Sequence, residues 1–268
     1  MHTYINGMQE FLNKDTYKFR AEQLDILIEF MLHNIGNTNP EIRDHLIYNS
    51  FVKLILEDHL TVQQMEYLIE TCLSKQYLFL NIEDGTKRDS VFTRTFSALV
   101  LAVILHKDAT DRRLSAELVS RVIQASIKYL LSERDYRGYI QGKGWAHSVA
   151  HGSDLLANGI LHPVFDKNDI TACLRAVREC IWVEYAYIDD EDERLIQVIE
   201  ALIEQGMKDM ELRDWVESLQ TEHKNAHTKY RIEWNVKRFN YSLYMALSKH
   251  KGFSVSRQAI SDQYLYDQ

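Results

Sequence analysis

The sequence predicts an all-α fold of stacked antiparallel helical hairpins, an irregular α-solenoid of the HEAT-like kind or an α/α superhelix. Three observations point there. Two prolines and ten glycines in 268 residues are too few for a turn-rich β protein. Apolar residues recur at three- and four-residue intervals through nearly every segment. Ten or more such segments are joined by short polar connections, as in paired helices, although no tetratricopeptide or ankyrin period is present. A closed bundle or toroid gives the same pattern, because spacing identifies faces and not curvature. The length suits one domain spanning 1–268.

Each element follows from its own residues. A short helix is expected around Tyr4 to Leu12, then a second whose face is Phe19, Leu24, Leu27, Ile28, Met31 and Leu32. Gly36 is expected to end it in the left-handed conformation, and Asn39-Pro40 to start the next helix as N-cap and first-turn proline. Thr61 and Gln64 form a capping box for a helix with Met65, Leu68, Ile69 and Cys72 inward, ending near Lys75. From Tyr77 to Arg88 the period is lost, and Glu83-Asp84-Gly85-Thr86 reads as a turn. A strongly apolar helix follows from Asp89, and another from Ser115 through Leu130. Beyond the central stretch, helices are expected at about 170–184, 193–204, 212–219, 234–247 and 255–264.

Charge and cysteine usage exclude several classes. A net charge of -8 gives no global positive field for nucleic acid. Cys72, Cys173 and Cys180 form no CxxC pair and read as core thiols of a reducing compartment. The first residues carry no basic-then-apolar secretory pattern, and the apolar run from Phe96 to Leu105 is about half the ~20 residues that span a bilayer. A cytoplasmic protein that binds neither nucleic acid nor membrane is expected.

The stretch from Asp135 to Asp154, DYRGYIQGKGWAHSVAHGSD, has the composition of a site. If a helix runs from Gly144 to Asn158, its period puts Lys143, His147, His151, Asp154 and Asn158 on one stripe. Trp145, Val149, Gly152, Leu156 and Ile160 fall on the opposite, docked side. Two imidazoles one turn apart and a carboxylate, His147, His151 and Asp154, could ligate a divalent metal. Ser148 and Val149 stand where HExxH needs its glutamate, so zincin chemistry does not carry over. The alternative is a pair of histidines that hydrogen-bond neighbours or face water.

An anion is the second candidate ligand. Arg137, Lys143 and the amides of Gly142, Lys143 and Gly144 at the expected helix start would favour phosphate or carboxylate. The glycine spacing is too short for a P-loop, and Gly144 replaces its Ser or Thr. A tight turn with solvated cations is the alternative. Five of the ten glycines lie between Gly138 and Gly159, so demanding backbone geometry is expected either way. Tyr136 and Tyr139 flank Arg137 and could wall a pocket, with Trp145 beside them. Arg94, set between Phe92 and Phe96, must pair either with a ligand anion or with an acid, for which Asp135, Asp154 and Glu193 are candidates. The run from Asp189 to Arg194 reads as a solvated acidic loop capping the next helix, and His223 and His227 as part of a surface helix.

Several of these residues carry a resemblance. The segments from Asp89 to Arg94 with Phe96-Ser97, Asp135, Arg137-Gly138-Tyr139, and Lys143 to Ser148 with Ala150-His151-Gly152 and Asp154 resemble the bacterial family catalogued as domain of unknown function 2785, found largely in Gram-positive bacteria. The resemblance covers most of the chain from the first break onward. It implies a bacterial, cytoplasmic, helical protein and supplies no catalytic residues. The functional expectation is therefore a protein that binds a small anionic molecule, a metal or both in a central groove. An α-solenoid scaffold for a protein partner, without catalytic activity, is the alternative.

Overall fold

Helical periodicity is realised over most of the described residues. The structure is a computed structural model, and it describes residues 2–14, 19–84, 88–220 and 223–264. Its helices are α1 (His2–Asn13), α2 (Ala21–His33), α3 (Pro40–Ile42), α4 (Asn49–Leu56), α5 (Val62–Cys72), α6 (Ser90–Asp111) and α7 (Ala116–Ser132). They continue with α8 (Ser148–Leu161), α9 (Ile170–Ile181), α10 (Glu191–Glu204), α11 (Asp209–Glu217), α12 (Ala226–Leu247) and α13 (Ser254–Tyr264). A π-helical turn, Arg43–Tyr48, joins α3 and α4 into one continuous rod. The strands among the described residues are β1 (Tyr139–Ile140) and β2 (Gly144–Trp145), paired antiparallel. The fold is all-α.

Local signals set several starts. Asn39 Oδ1 accepts from Glu41 N at 3.0 Å with Pro40 in the first turn. Thr61 and Gln64 close the capping box on α5, and Ser115 Oγ accepts from Leu118 N on α7. Ends are less local. Gly36 has no positive φ; it lacks a side chain because Thr93 of α6 crosses directly over it. Helix α5 stops at Cys72, short of Lys75, and residues 85–87 of the expected turn lie outside the described residues.

Packing centres on α8, which lies against α6, α10 and α7. Helices α6, α8, α10 and α12 pack in succession, while α7 packs on α9. The apolar run inside α6 belongs to a helix of 22 residues, long and apolar enough to cross a membrane, most of which is buried against its neighbours. Cys72, Cys173 and Cys180 are buried free thiols, each pushed up to about 12 by burial.

The tightness of this centre is measured by Gly152. A Cβ there would stand 2.6 Å from Tyr129 Cε1 and 2.7 Å from Leu130 Cδ2, and both side chains are buried. Alanine gains up to about 1 kcal/mol of helix propensity, but overpacking a closed core costs about 1–3 kcal/mol. The Tyr129 ring is rigid and enclosed, so the steric cost is expected to dominate. Gly152→Ala should lower the urea midpoint with an unchanged m-value.

Candidate functional site

The central stretch folds as a hairpin followed by a helix, not as one helix from Gly144. Tyr139 pairs with Trp145 and Ile140 with Gly144, and Lys143 N donates to Ile140 O at 2.9 Å. Gly142 and Gly144 take positive φ of 75° and 80°, as so tight a turn requires. The amides of 142–144 thus belong to a β-turn and form no helix N-terminus, which removes the basis of the expected anion cradle. Lys143 leaves the stripe, and α8 begins only after His147, whose φ of 45° is left-handed. Helix α8 is buried on nearly all sides, so it has no open ionisable face.

Each expected cation has a carboxylate. Arg94 is buried and gives Nε and Nη2 to Glu133 at 2.8 Å each and Nη1 to Leu80 O at 2.8 Å. Its partner is therefore Glu133, not Asp135, Asp154 or Glu193, because Glu133 ends α7 directly opposite it. Arg137 Nε donates to Asp135 Oδ1 at 2.8 Å, and its Nη2 also reaches Arg88 O. Lys143 Nζ lies 2.7 Å from both oxygens of Asp89, on the surface. Gly138 is passed so closely by Asp189 that no side chain fits, and Asp189 Oδ2 accepts from Tyr139 N at 3.1 Å.

The expected metal triad is not assembled. Asp154 accepts from Arg194 Nη1 through both oxygens, at 2.6 and 2.5 Å. His147 and His151 have ring centroids 5.7 Å apart and tilted by 58°, and among the described residues no group of three His, Cys, Asp or Glu side chains is placed to hold a metal. Instead the rings form a ladder. Tyr139 meets Trp145 edge to face at 4.9 Å, Trp145 stacks on His147 at 4.4 Å and 5°, and His151 continues to Phe96 and Tyr48. Tyr139 and Trp145 form its solvent end, with Trp145 42 % exposed.

Behind Trp145 sits a carboxylate that sequence reasoning missed. Glu191 is buried, and its Oε1 faces His147 Nδ1 at 3.5 Å without the alignment of a hydrogen bond. His151 Nδ1 is also buried without a hydrogen-bond partner. The acidic run is therefore not a solvated loop. Asp189 holds Tyr139, Glu191 faces His147, and Asp192 accepts from Arg238 and Ser242. Its charge still lies at the positive end of α10, in the first turn. Only the density of acids marked this run; their partners come from the hairpin, from His147 just ahead of α8 and from α12.

Burial holds the His151 imidazole well below its usual value of 6.5, and the charges of His147, Arg194 and Arg43 act in the same direction. The unfolded chain thus binds this proton first. Stability from neutral His151 is complete above about pH 6.5 and is lost as pH falls below it, at up to about 1.4 kcal/mol per unit for one proton. Asp154, raised by burial, acts oppositely, but from the lower carboxylate range. Buried His162 is lowered too, so His151→Gln should flatten, not abolish, the loss in urea melts between about pH 7.5 and 5.5. An unchanged slope would contradict the assignment.

Comparison with known proteins places this geometry in a family without a described activity. No curated protein and no solved structure matches the chain. A family profile, described as protein of unknown function (DUF2785), matches residues 78–245, which include α6, the hairpin, α8 and α10. On that match, the chain belongs to the DUF2785 family.

Proposed function

We propose that this protein binds a small ligand that joins an anionic group to a planar one, and that contact is made at the tip of the 139–145 hairpin. The observation that carries the reading is Trp145, 42 % exposed with one side already held by a parallel imidazole. Tyr139 meets the indole at 4.9 Å, so an indole fixed in this way offers its exposed part, together with the exposed Tyr139 ring, as an aromatic contact surface at little further entropic cost. The cation beside it is Lys143. Its pair with Asp89 is largely exposed, so it is worth about 0–1 kcal/mol and can be exchanged for a ligand anion. Arg94 and Arg137 are held by buried carboxylates and serve as supports for the hairpin.

A thermal-shift panel of phosphorylated and carboxylated metabolites, with divalent metals alongside, tests this. A ligand at 100 times its Kd adds about 2.7 kcal/mol to native stability. Trp145→Ala and Lys143→Ala should each weaken the hit by roughly tenfold or more. Hits that bind both variants as tightly as the parent would remove the hairpin from the function. The alternative, an interaction scaffold of stacked hairpins, draws support from the packing succession α6, α8, α10, α12. Three separate buried thiols support the cytoplasmic reading under either function.

A further inference from the structure

Helix α12 has two apolar sides. Ile232, Val236, Phe239, Leu243 and Leu247 face the core. On the opposite side Tyr230, Trp234, Tyr241 and Met245 form a solvent-facing stripe, with Tyr230 62 % and Met245 66 % exposed. At 3.6 residues per turn all four fall within one narrow sector. Scattered exposed apolar residues need no explanation, but three aromatics and a methionine in one sector, interrupted by Lys237 and with Tyr241 edge-on to Tyr264 of α13 at 5.7 Å, mark a contact surface.

We infer that this stripe is the self-association surface of the chain, joining two copies through an antiparallel, two-fold contact of α12 with α12. The spacing of the stripe is four, seven and four residues, which reads the same in both directions. Rotation about a two-fold axis between residues 237 and 238 therefore lays Tyr230 on Met245 of the second copy and Trp234 on Tyr241. That is the isologous match a closed dimer requires. The charges follow the same symmetry. Lys229, Arg231 and Lys237 outnumber Glu233 along the amino-terminal half, while beside the carboxyl-terminal half Asp192, Glu193 and Glu200 of α10 outnumber Arg238 and Lys249, with Arg238 held by Asp192. Antiparallel pairing puts the basic half of one copy over the acidic half of the other. Lys237 lies near the axis, with its ammonium held over the Tyr241 ring at 5.6 Å.

Sedimentation of the full chain between about 1 and 100 µM should reveal a concentration-dependent dimer. Met245→Glu should weaken it by roughly tenfold or more without changing the melting profile, because the side chain is exposed. Register is read separately by cross-linking. Along α12, positions 230 and 245 lie about 22 Å apart at 1.5 Å per residue. Tyr230→Cys mixed with Met245→Cys should therefore form a disulfide dimer on mild oxidation, and neither variant alone should. The native thiols are buried and do not compete. A monomer at every concentration, a dimer indifferent to Met245→Glu, or cross-linking of one variant with itself would overturn the inference.

Discussion

Replacing Glu133 by glutamine is expected to lower the unfolding free energy by about 3–5 kcal/mol, a large part of the roughly 5–15 kcal/mol typical of a folded chain. The carboxylate receives two guanidinium bonds from Arg94 at 2.8 Å and the backbone amides of Arg134 and Asp135 at 2.9 and 2.8 Å. Burial works against the charge of Arg94, and the Glu133 hydrogen bonds and charge more than offset it. A glutamine amide turns one acceptor into a donor facing a guanidinium, which leaves a buried cation without its counter-charge. Denaturant melts of Glu133→Leu, of Arg94→Met and of the double variant Arg94→Met/Glu133→Leu separate the contributions. The double variant should lose less than the sum of its single changes, because it removes the stranded charge, though not the two orphaned amides.

Arg43→Met is expected to cost a similar amount, about 3–5 kcal/mol, and to act at a distance on the hairpin. This guanidinium is fully buried, donating Nη1 to Asn37 O at 2.8 Å and Nη2 to Lys143 O at 2.9 Å, with its Nε against Asp44 at 2.7 Å. It also lies over the rings of Phe92 and Phe96, at 4.1 and 4.8 Å. Burial lowers its pKa, and Asp44 works in the opposite direction. Methionine fills much of the volume but leaves two carbonyls and Asp44 uncompensated. Lysine keeps the charge yet cannot span both carbonyls, so Arg43→Lys should recover only part of the loss. Hydrogen exchange of the 139–145 amides should rise in both variants; protection equal to the parent would show that the hairpin holds without this bond.

The helical faces, the Asn39 and Thr61 caps, the helix start at Ser115 and the resemblance carried by GKGWAHSVAH were legible because each depends on residues close in sequence. The central stripe was misread for the opposite reason. Nothing local in Gly144-Trp145-Ala146-His147 forbids a helix; what bends it into a hairpin is a set of distant contacts. Arg43 grips Lys143 O, Asp189 binds Tyr139 N, and Ser148 Oγ donates to Asp135 O. The glycine density did announce unusual geometry, but it concealed two causes. Gly142 and Gly144 take positive φ, whereas Gly138 and Gly152 are there because a neighbour comes too close for a Cβ. Partner choice for Arg94 missed by two residues: Asp135 was a candidate, but Glu133 sits in an ordinary helix end that nothing in the sequence marks as facing Arg94.

The Arg43 bridge also bears on where this fold can be cut. The family match begins at residue 78, so the rod that carries Arg43 lies outside it, yet its side chain closes over Phe92 and Phe96 and fastens the hairpin inside it. At the other border α13 packs on α11, with Ser256 Oγ donating to Asp209 O at 2.9 Å. A fragment trimmed to the matched residues would thus expose two phenylalanines and sever the bonds that shape its most distinctive segment. The span recognisable by family resemblance and the span closed by its own contacts are, for this chain, two different lengths of polypeptide.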